Sequence, residues 1–399
     1  MLVARGPDGP IAGRRVAVTG MGALTCCGVG ITSLWEGLQR PWAGAERRVP
    51  DFDPTDWFGP KEARRLDRFA QFSVACAELA MRDAGAVEAD PQRSGVIFSS
   101  GVGGFDTLVE QVVVFETKGA KRVSPFLVPM MMANAGAANI SMRLGWHGPS
   151  EAVVTACASG SHAIAAAARL VASGVCDVAI GGGSEASLHP VAVAAFTNMT
   201  ALSTSGASRP FDARRDGFVI AEGAAALVLE SWDRARSRGA RIYGEIAGAA
   251  STADAHHITA PEPAGVGAVA CMELALEDAQ LRPEDIVHIN AHGTSTPLND
   301  LAEARAINKV FGEPGPPVTS IKGVTGHGLA AAGAIEAVAA LLTIHHALIP
   351  PTVGYEEPDP EIHLDIVHGA ARPFEPGPVL SNSFGFGGHN GCLVFTPPR

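Results

Sequence analysis

Cys157 is the residue whose surroundings most strongly indicate chemistry. It lies in "VVTACASGSHAIAAAARLV" (residues 153–171), between a β-branched run and a helix-forming stretch of mostly Ala, Gly and Ser. A free cysteine is by default a small buried hydrophobic residue. At the start of a helix, however, unpaired N–H groups and the helix dipole stabilise a thiolate and lower the thiol pKa below its usual value of about 8.5. The pattern therefore predicts a nucleophilic Cys157, and its small neighbours leave room for an acyl group.

The other cysteines have no comparable surroundings. They lie in a turn, in regular apolar segments or in a loop, at positions Cys26, Cys27, Cys76, Cys176, Cys271 and Cys392. An odd total of 7 without any C-x-x-C spacing indicates neither a disulfide framework nor a zinc ribbon. We therefore expect free thiols and a reducing compartment, the cytoplasm.

Two histidines could serve such a nucleophile. His292 follows the predicted strand "IVHINA" and precedes the turn "GTST", while His327 lies in "KGVTGHG" just before a helix. Either one alone is also compatible with a hydrogen-bonded loop histidine. Because a nucleophile needs a base and open α/β sheets bind ligands beyond the carboxyl ends of their strands, we expect Cys157, His292 and His327 to converge.

The elements that must position these residues form an alternating series. Predicted strands such as "GVIFSS", "AVVTA" and "DVAIGGG" alternate with helices, which indicates an α/β fold. The segment "VTSIKGVTGH" leads into "GLAAAGAIEAVAALL" much as "AVVTA" leads into the helix after Cys157. Both helices are apolar on nearly every face, so we expect them to be buried and to pack against each other or between sheets. Two copies of one α/β unit, residues 1–240 and 241–399, are the simplest interpretation.

Composition excludes several classes of function. A net charge of −11 and a pI of about 5.6 argue against nucleic acid or an anionic membrane as the main partner. The N-terminal "MLVARGPDGPIAGRR" has no apolar signal region, and no stretch of 18 or more residues is continuously apolar. The glycines of "VTGMGALTCCGVG" resemble a dinucleotide-binding motif, but Thr25 occupies the place of the third glycine and a suitably placed acidic residue is missing. We interpret that segment as a tight turn.

The sequence resembles a known family. Four motifs, "TACASGSHAIAAA", "NAHGTSTPLND", "IKGVTGHGLAAAGAIE" and "NSFGFGGHNG", occur in the order found in the β-ketoacyl-acyl-carrier-protein synthases of the elongating type, within the thiolase superfamily. The segment "FDARRDGFVIAEGAAALVLE", the "DAHH" motif and the opening "RRVAVTGMGAL" extend the similarity over nearly the whole chain.

The resemblance implies a five-layered αβαβα fold of two similar halves and an obligate homodimer. It implies a Cys-His-His site of Cys157, His292 and His327 that needs no metal and no redox cofactor. The Cys157 thiolate takes an acyl chain from a carrier thioester, and a malonyl thioester then loses CO2 to form the attacking carbanion. The two histidines donate hydrogen bonds to the developing enolate, while the backbone N–H groups of Cys157 and Phe386 form a second oxyanion hole.

Further roles follow from the same resemblance. Lys322 matches a lysine that organises the site with acidic partners, here Glu336, Asp300 and Glu303. Phe386 is the expected gate to Cys157, with Phe384 beside it. The remaining matches are expected to bind the pantetheine arm or line the acyl pocket: Thr294, Thr296, Thr259 and, near the dimer interface, Leu108.

Basic residues of this acidic chain match positions that meet acyl carrier protein in the family. They lie in "KEARRLDRF" and "KGAKRV", at Lys61, Arg64, Arg65, Lys121 and Arg122. Electrostatic steering of an acidic partner would explain them, although ordinary solvated charges have the same composition. The sequence departs from the family at the short loop "LSTSGASRPFD", at His389 and at the "TCC" turn, which leaves the choice of carrier and the pathway open.

Two other functions are compatible with parts of this sequence. A non-catalytic chain-length partner of a polyketide synthase needs no nucleophile, whereas Cys157 is present. A thiolase using coenzyme A needs a second cysteine as base, where this sequence has His327, and Cys392 lies in a strand-like context. The acyl chain length and the extender unit are not predicted.

Overall fold

The structure is a computed structural model that describes residues 13–42 and 47–398. Its strands are β1 (Val16–Thr25), β2 (Gly28–Val29), β3 (Ser94–Ser99), β4 (Ser150–Glu151), β5 (Val178–Glu185), β6 (Gly223–Ser231), β7 (Gly244–Ala253), β8 (His288–Asn290), β9 (Val318–Thr319), β10 (Leu348–Ile349), β11 (Arg372–Pro373), β12 (Val379–Gly385) and β13 (His389–Thr396).

Helices connect these strands. They are α1 (Ile31–Leu38), α2 (Pro60–Ala63), α3 (Arg68–Ala84), α4 (Phe105–Lys118), α5 (Leu127–Met131), α6 (Ala135–Leu144), α7 (Ser159–Ala172), α8 (Pro190–Asn198), α9 (Trp232–Ser237), α10 (Val266–Ala279), α11 (Pro297–Phe311), α12 (Lys322–Thr325) and α13 (Ala332–His346).

The main sheet repeats one pattern twice. Its strand order is β4-β3-β5-β6-β1-β7-β13-β12-β8-β9. Read outward from the central β1–β7 pair, each half has two antiparallel pairings followed by two parallel pairings. The strand β4 that precedes Cys157 therefore corresponds to the strand β9 that precedes His327, as the sequence comparison of the two halves predicts.

The three largest apolar cores of the described residues separate the layers. The central core contains side chains of α7 and α13 between the two halves of the sheet. A second core lies under α3 and α6, and a third under α10 and α11. This order of helices and sheet halves is the five-layered thiolase-like arrangement expected from the resemblance.

Small residues let the two central helices approach closely. A Cβ on Gly160 of α7 would lie 2.7 Å from the backbone nitrogen of Ala334 in α13, and one on Gly333 would lie 2.3 Å from the Ser161 hydroxyl. The helices can therefore pack backbone against backbone only with glycine at these positions. The expected burial of both helices is confirmed, and Cys157 and His327 are brought together because their helices are neighbours.

One predicted strand is irregular, and one long apolar helical stretch is buried inside the protein. The predicted strand "AVVTA" is irregular, since β4 ends at Glu151 before it begins and a 3₁₀ turn, Ala156–Ala158, replaces its end. The helical stretch Leu329–His346 is long and apolar enough by composition to cross a membrane, yet 89% of it is buried inside the protein. Its apolar side chains pack in the central core.

Candidate active site

Cys157 lies on a strained turn at the start of α7. The preceding residue, Ala156, has a φ of 49°, a left-handed conformation that costs free energy for any residue with a Cβ. This turn places the Cys157 side chain against Phe218 and Leu329, in a small apolar cluster outside the three main cores. Only 7% of Cys157 is exposed, at the wall of a cavity.

Burial has a larger influence on the pKa of the Cys157 thiol than the charges and hydrogen-bond donors nearby. It raises the pKa of Cys157 to about 11, while the charge of Lys322 and a hydrogen bond from the Phe386 backbone act in the opposite direction. The lowered pKa expected from the helix start is therefore wrong, because loss of water around the sulfur outweighs the favourable N–H groups. The resting group is a thiol, and it needs a base nearby.

His327 provides that base. Its Nε2 atom lies 3.1 Å from the Cys157 Sγ atom. Backbone hydrogen bonds fix the residue on both sides, from His327 N to Val219 O at 2.7 Å and from Ala221 N to His327 O at 3.0 Å. Burial, followed by the charge of Lys322, holds the imidazole pKa well below 6.5, so the ring is neutral and can accept a proton.

His292 lies beside this pair. Its ring is perpendicular to that of His327, with centroids 5.4 Å apart, and it lines the same cavity. Lys322 Nζ lies 3.2 Å from Nδ1 of His292 and donates to its backbone oxygen at 2.6 Å. Because an ammonium group can only donate, Nδ1 must accept and the ring proton must lie on Nε2. Burial holds the pKa of His292 well below 6.5, which leaves a neutral Nε2–H donor.

The carboxylates near the two histidines have different partners. Glu336 forms a buried ion pair with Lys322, and burial raises its pKa to about 7. Glu303 accepts hydrogen bonds from the backbone nitrogens of His292 and Gly293, at 2.8 and 2.7 Å. It thereby fixes the turn that presents His292.

Asp300 binds the backbone of neighbouring loops. Its Oδ2 atom accepts from the backbone nitrogen of Phe211 at 2.8 Å and from that of Ser295 at 3.2 Å. Of the three carboxylates expected around Lys322, Glu336 therefore pairs with it, whereas Glu303 and Asp300 bind backbone N–H groups.

The glycine-rich loop after β12 covers Cys157. Phe386 lines the cavity, and its backbone N–H acts to lower the pKa of the Cys157 thiol. Phe384 packs edge-on against His292, with ring centroids 6.0 Å apart. A Cβ on Gly385 would lie 2.7 Å from the Thr155 carbonyl oxygen and 3.0 Å from the Cys157 nitrogen. Glycine at 385 is thus what allows the loop to touch the turn that carries Cys157.

A cavity of about 460 Å³ connects these groups. Thr259, Thr294 and Thr296 line it together with Cys157 and both histidines, so the structure brings these predicted residues to one site. Leu108 lies on α4 and is not among the residues that line this cavity.

The predicted basic residues form a separate surface. Lys61, Arg64 and Arg65 are exposed on and after α2, and the Arg65 guanidinium lies 4.6 Å above the Phe126 ring. Phe126 shares a loop with the turn that carries the exposed residues Lys121 and Arg122. The two basic sequence segments are thereby adjacent in the fold.

Two residues of the site were missed by sequence reasoning. Phe218, 3% exposed, packs edge-on against His327 with centroids 5.1 Å apart. Glu185 lines the cavity and accepts from Ser100 Oγ and Gly101 N, both at 2.9 Å, and burial raises its pKa to about 7. A charged residue ending the buried strand "DVAIGGGSE" was the available signal for Glu185.

Comparison with known proteins gives a consistent result. The N-terminal domain of the β-ketoacyl synthase family matches residues 38–235, and its C-terminal domain matches residues 243–356. The 3-oxoacyl-[acyl-carrier-protein] synthase 2 of Synechocystis sp. is 45% identical over 406 residues, covering 96% of this chain and 98% of that protein.

Solved structures of the same family superimpose closely. A β-ketoacyl synthase from Burkholderia phymatum STM815 has a TM-score of 0.89 and 34% identity, covering 97% of this chain and 100% of that one. A ketosynthase solved with its type II polyketide acyl carrier protein has a TM-score of 0.87 and 31% identity, with the same coverage. The two matching domains, the full-length relatives and the shared fold together show that this chain belongs to the β-ketoacyl synthase family.

Proposed function

We propose that this chain is a β-ketoacyl-acyl-carrier-protein synthase, which condenses an acyl group on Cys157 with malonyl-acyl carrier protein and lengthens the chain by two carbons. The observation that carries the proposal is the 3.1 Å separation of Cys157 Sγ and His327 Nε2, in a cavity that His292 also lines. The named function of the full-length relatives supports the same reaction.

The first half-reaction is a thioester exchange. Cys157 gives its proton to Nε2 of His327 as the sulfur attacks the carbonyl carbon of the acyl carrier thioester. The new carbon–sulfur bond forms, the bond to the carrier sulfur breaks, and the departing thiolate takes the proton from His327. The backbone N–H groups of Cys157 and Phe386 bind the carbonyl oxygen during this step.

The second half-reaction forms the carbon–carbon bond. The malonyl group loses its carboxylate as CO2, and the electron pair moves onto the thioester as an enolate. The enolate carbon attacks the acyl carbonyl, the bond to Cys157 breaks, and the thiolate takes a proton from solvent. His292 and His327 donate hydrogen bonds to the enolate oxygen, and one such donor is typically worth roughly 10²–10³ in rate.

The two histidines are suited to different tasks. Lys322 holds His292 as an Nε2–H donor. The Nδ1 atom of His327 is buried without a hydrogen-bond partner in the described structure. No neighbour therefore fixes the tautomer of His327, which can accept a proton in the first half-reaction and donate a hydrogen bond in the second.

The remaining residues position the reactants. Glu336 pairs with Lys322, and Glu303 binds the turn that carries His292. Asp300 binds the backbone of the adjoining loop. We assign the threonines of the cavity wall, Thr259, Thr294 and Thr296, to the pantetheine arm. Phe384 and Phe386 control access to the sulfur, and Leu108 closes the acyl pocket in the assembled protein.

Acyl carrier protein is the proposed macromolecular partner. The adjacent basic segments around Lys61 and Lys121 offer an exposed cationic surface on an otherwise acidic chain. Such a surface attracts the acidic carrier and accelerates encounter. A related ketosynthase whose structure contains its own acyl carrier protein supports this assignment.

The proposed assembly is a cytoplasmic homodimer of chains with two thiolase-like halves, residues 1–240 and 241–399. Strand β4 forms one edge of the main sheet, and several apolar residues on α4 and on and just after α5 are exposed: Val112, Val113, Phe115, Val128 and Met132. Open strand edges and exposed apolar residues favour pairing with a second subunit. The internal strand repeat supports the division into halves.

The alternatives are less well supported. A non-catalytic chain-length subunit would not require the buried contact between Cys157 and His327. A coenzyme A-dependent thiolase would need a cysteine base, whereas Cys392 is buried in β13 and hydrogen-bonds the Asn382 side chain.

One assay tests the reaction and separates it from these alternatives. The pure protein is incubated with acyl-acyl carrier protein and malonyl-acyl carrier protein, and in parallel with the matching coenzyme A thioesters. The proposal predicts CO2 release and a 3-oxoacyl carrier product longer by two carbons, formed faster from the carrier substrates. Product from neither set, or only the reversible coenzyme A reaction without CO2 release, would contradict it.

A further inference from the structure

Cys26 and Cys27 are the only adjacent cysteines in the sequence, and the proposed reaction does not use them. They form the two-residue turn between β1 and β2, where Thr25 pairs with Gly28. As neighbours in one tight turn, the two cysteines present their side chains close together. A single atom that accepts two sulfur ligands can therefore reach both.

The two thiols differ in accessibility. Cys27 is half-buried, whereas Cys26 is 7% exposed. The neighbouring Cys26 side chain lowers the pKa of Cys27, and Thr25 and Arg47 act in the same direction. Cys27 is therefore the thiol that reacts first, and Cys26 is the inner thiol that completes a chelate.

The turn rests against the back of the active site. Cys26 Sγ donates to Val324 O at 3.4 Å, and Arg47 Nη2 donates to Gly323 O at 3.3 Å. Both carbonyls belong to α12, which begins with Lys322 and leads through Gly326 to His327. Modification of Cys26 removes a hydrogen-bond donor from this segment and adds bulk behind it.

From this arrangement we propose that Cys26 and Cys27 form a chelating site for trivalent thiophilic species, such as an organic arsenoxide, and that its occupation displaces the segment carrying Lys322 and His327. Two arsenic–sulfur bonds form and the arsenic–oxygen bond breaks. Both thiol protons leave with the oxygen as water, so no oxidant is required.

Other features favour this pair and this class of ligand. Cys271 and Cys392 also lie close together, but each is at most 1% exposed, so reagents cannot reach them in the folded protein. In residues 13–42 and 47–398 no group of three or more His, Cys, Asp or Glu side chains is placed to hold a metal ion. A ligand satisfied by two sulfurs thus fits better than one requiring a full coordination shell.

Binding is tested with phenylarsine oxide and intact-protein mass spectrometry. After washing with a monothiol, which removes single-sulfur adducts, we expect one arsenical per native chain, released by a dithiol. Cys26→Ser and Cys27→Ser should each lose the stable adduct, whereas Cys176→Ser should keep it. An adduct that survives in the Cys26→Ser/Cys27→Ser protein, or no stable adduct on the native chain, would overturn the proposal.

Coupling to the active site is tested on the washed, arsenical-bound protein by measuring alkylation of Cys157 with iodoacetamide. We expect alkylation to slow by roughly tenfold, because the displaced His327 no longer acts fully as a base. A well-positioned base contributes roughly 10²–10⁴-fold in rate, so a roughly tenfold loss is a part of that contribution. The same treatment should not change alkylation in the Cys26→Ser/Cys27→Ser protein. An unchanged rate in the chelated native chain would refute the coupling, and this readout does not depend on the condensing reaction.

Discussion

Cys157 Sγ and His327 Nε2 lie 3.1 Å apart although 170 residues separate them in the sequence. Each residue follows a short strand in one of the two equivalent halves of the sheet, and each precedes one of the two central helices. The repeat of the fold thus places a nucleophile and its base at corresponding positions. Their contact determines how the two histidines should differ in function.

Replacing the histidines one at a time should separate the two half-reactions. His327→Ala should slow both acyl transfer to Cys157 and malonyl decarboxylation, because His327 contacts the sulfur. His292→Ala should slow decarboxylation by roughly 10²–10³-fold and leave most of the acyl transfer, since it removes an enolate donor. Single-turnover acylation and CO2 release measure the two steps, and equal losses of both steps in the His292→Ala protein would argue against this division.

Replacement of Lys322 should raise the pKa of the Cys157 thiol and remove a hydrogen bond that orients His292. Lys322→Met removes the positive charge that lowers the pKa of Cys157, so that pKa should rise above about 11. Less thiolate is then present at pH 8, and iodoacetamide should alkylate Cys157 more slowly. Decarboxylation should fall as well, because Nδ1 of His292 loses its donor.

The control for this change is Lys309→Met, at an exposed position on α11. It should leave the pH profile of alkylation unchanged. A Lys322→Met protein with an unaltered profile would show that this lysine does not influence the sulfur.

Gly385 should tolerate no side chain. Gly385→Ala places a Cβ against the Thr155 carbonyl and the Cys157 nitrogen, so the loop must move and take the Phe386 N–H with it. We expect acyl transfer to fall by roughly 10²-fold or more, as when an oxyanion donor is lost.

Gly59→Ala is the matched control for the loop. Its φ of −64° is accessible to alanine, and an added Cβ meets nothing within 4 Å. It should retain full activity with a small-molecule acyl thioester. Normal acylation in the Gly385→Ala protein would indicate that the loop does not form the oxyanion hole.

Protonation of His288, which lies outside the active site, should contribute to unfolding of the protein at low pH. Both ring nitrogens of His288 are buried without a hydrogen-bond partner in the described structure, and burial lowers its pKa to about 3. The unfolded chain binds this proton near pH 6.5, so stability is fully present above that pH and falls as the pH drops toward 3. Each pKa unit corresponds to about 1.4 kcal/mol, so the loss reaches several kcal/mol.

His288→Leu should therefore shift the midpoint of acid unfolding to lower pH, as measured by circular dichroism. The corresponding change at the exposed His363 should have little effect. If both variants unfold at the native midpoint, protonation of His288 does not contribute to acid unfolding.

Sequence reasoning reached the reactive residues because each lies at a junction with a clear signal. The strand-to-helix patterns identified Cys157 and His327, and the paired glycine- and alanine-rich helices predicted their close packing. The thiol pKa was predicted in the wrong direction, because it depends on how Phe218 and Leu329 exclude water. Phe218 was missed for the same reason, since its role arises from three-dimensional burial, whereas Glu185 had a weak signal as the charged end of a buried strand.

The most direct test of the central claim is the mass of the intact protein after incubation with acyl-acyl carrier protein. We predict one acyl group per native chain, located on the peptide containing Cys157, and none on the Cys157→Ala protein. His327→Ala should acquire the group more slowly than the native chain. Undiminished acylation of the Cys157→Ala protein, or an acyl group found on another residue, would contradict the account.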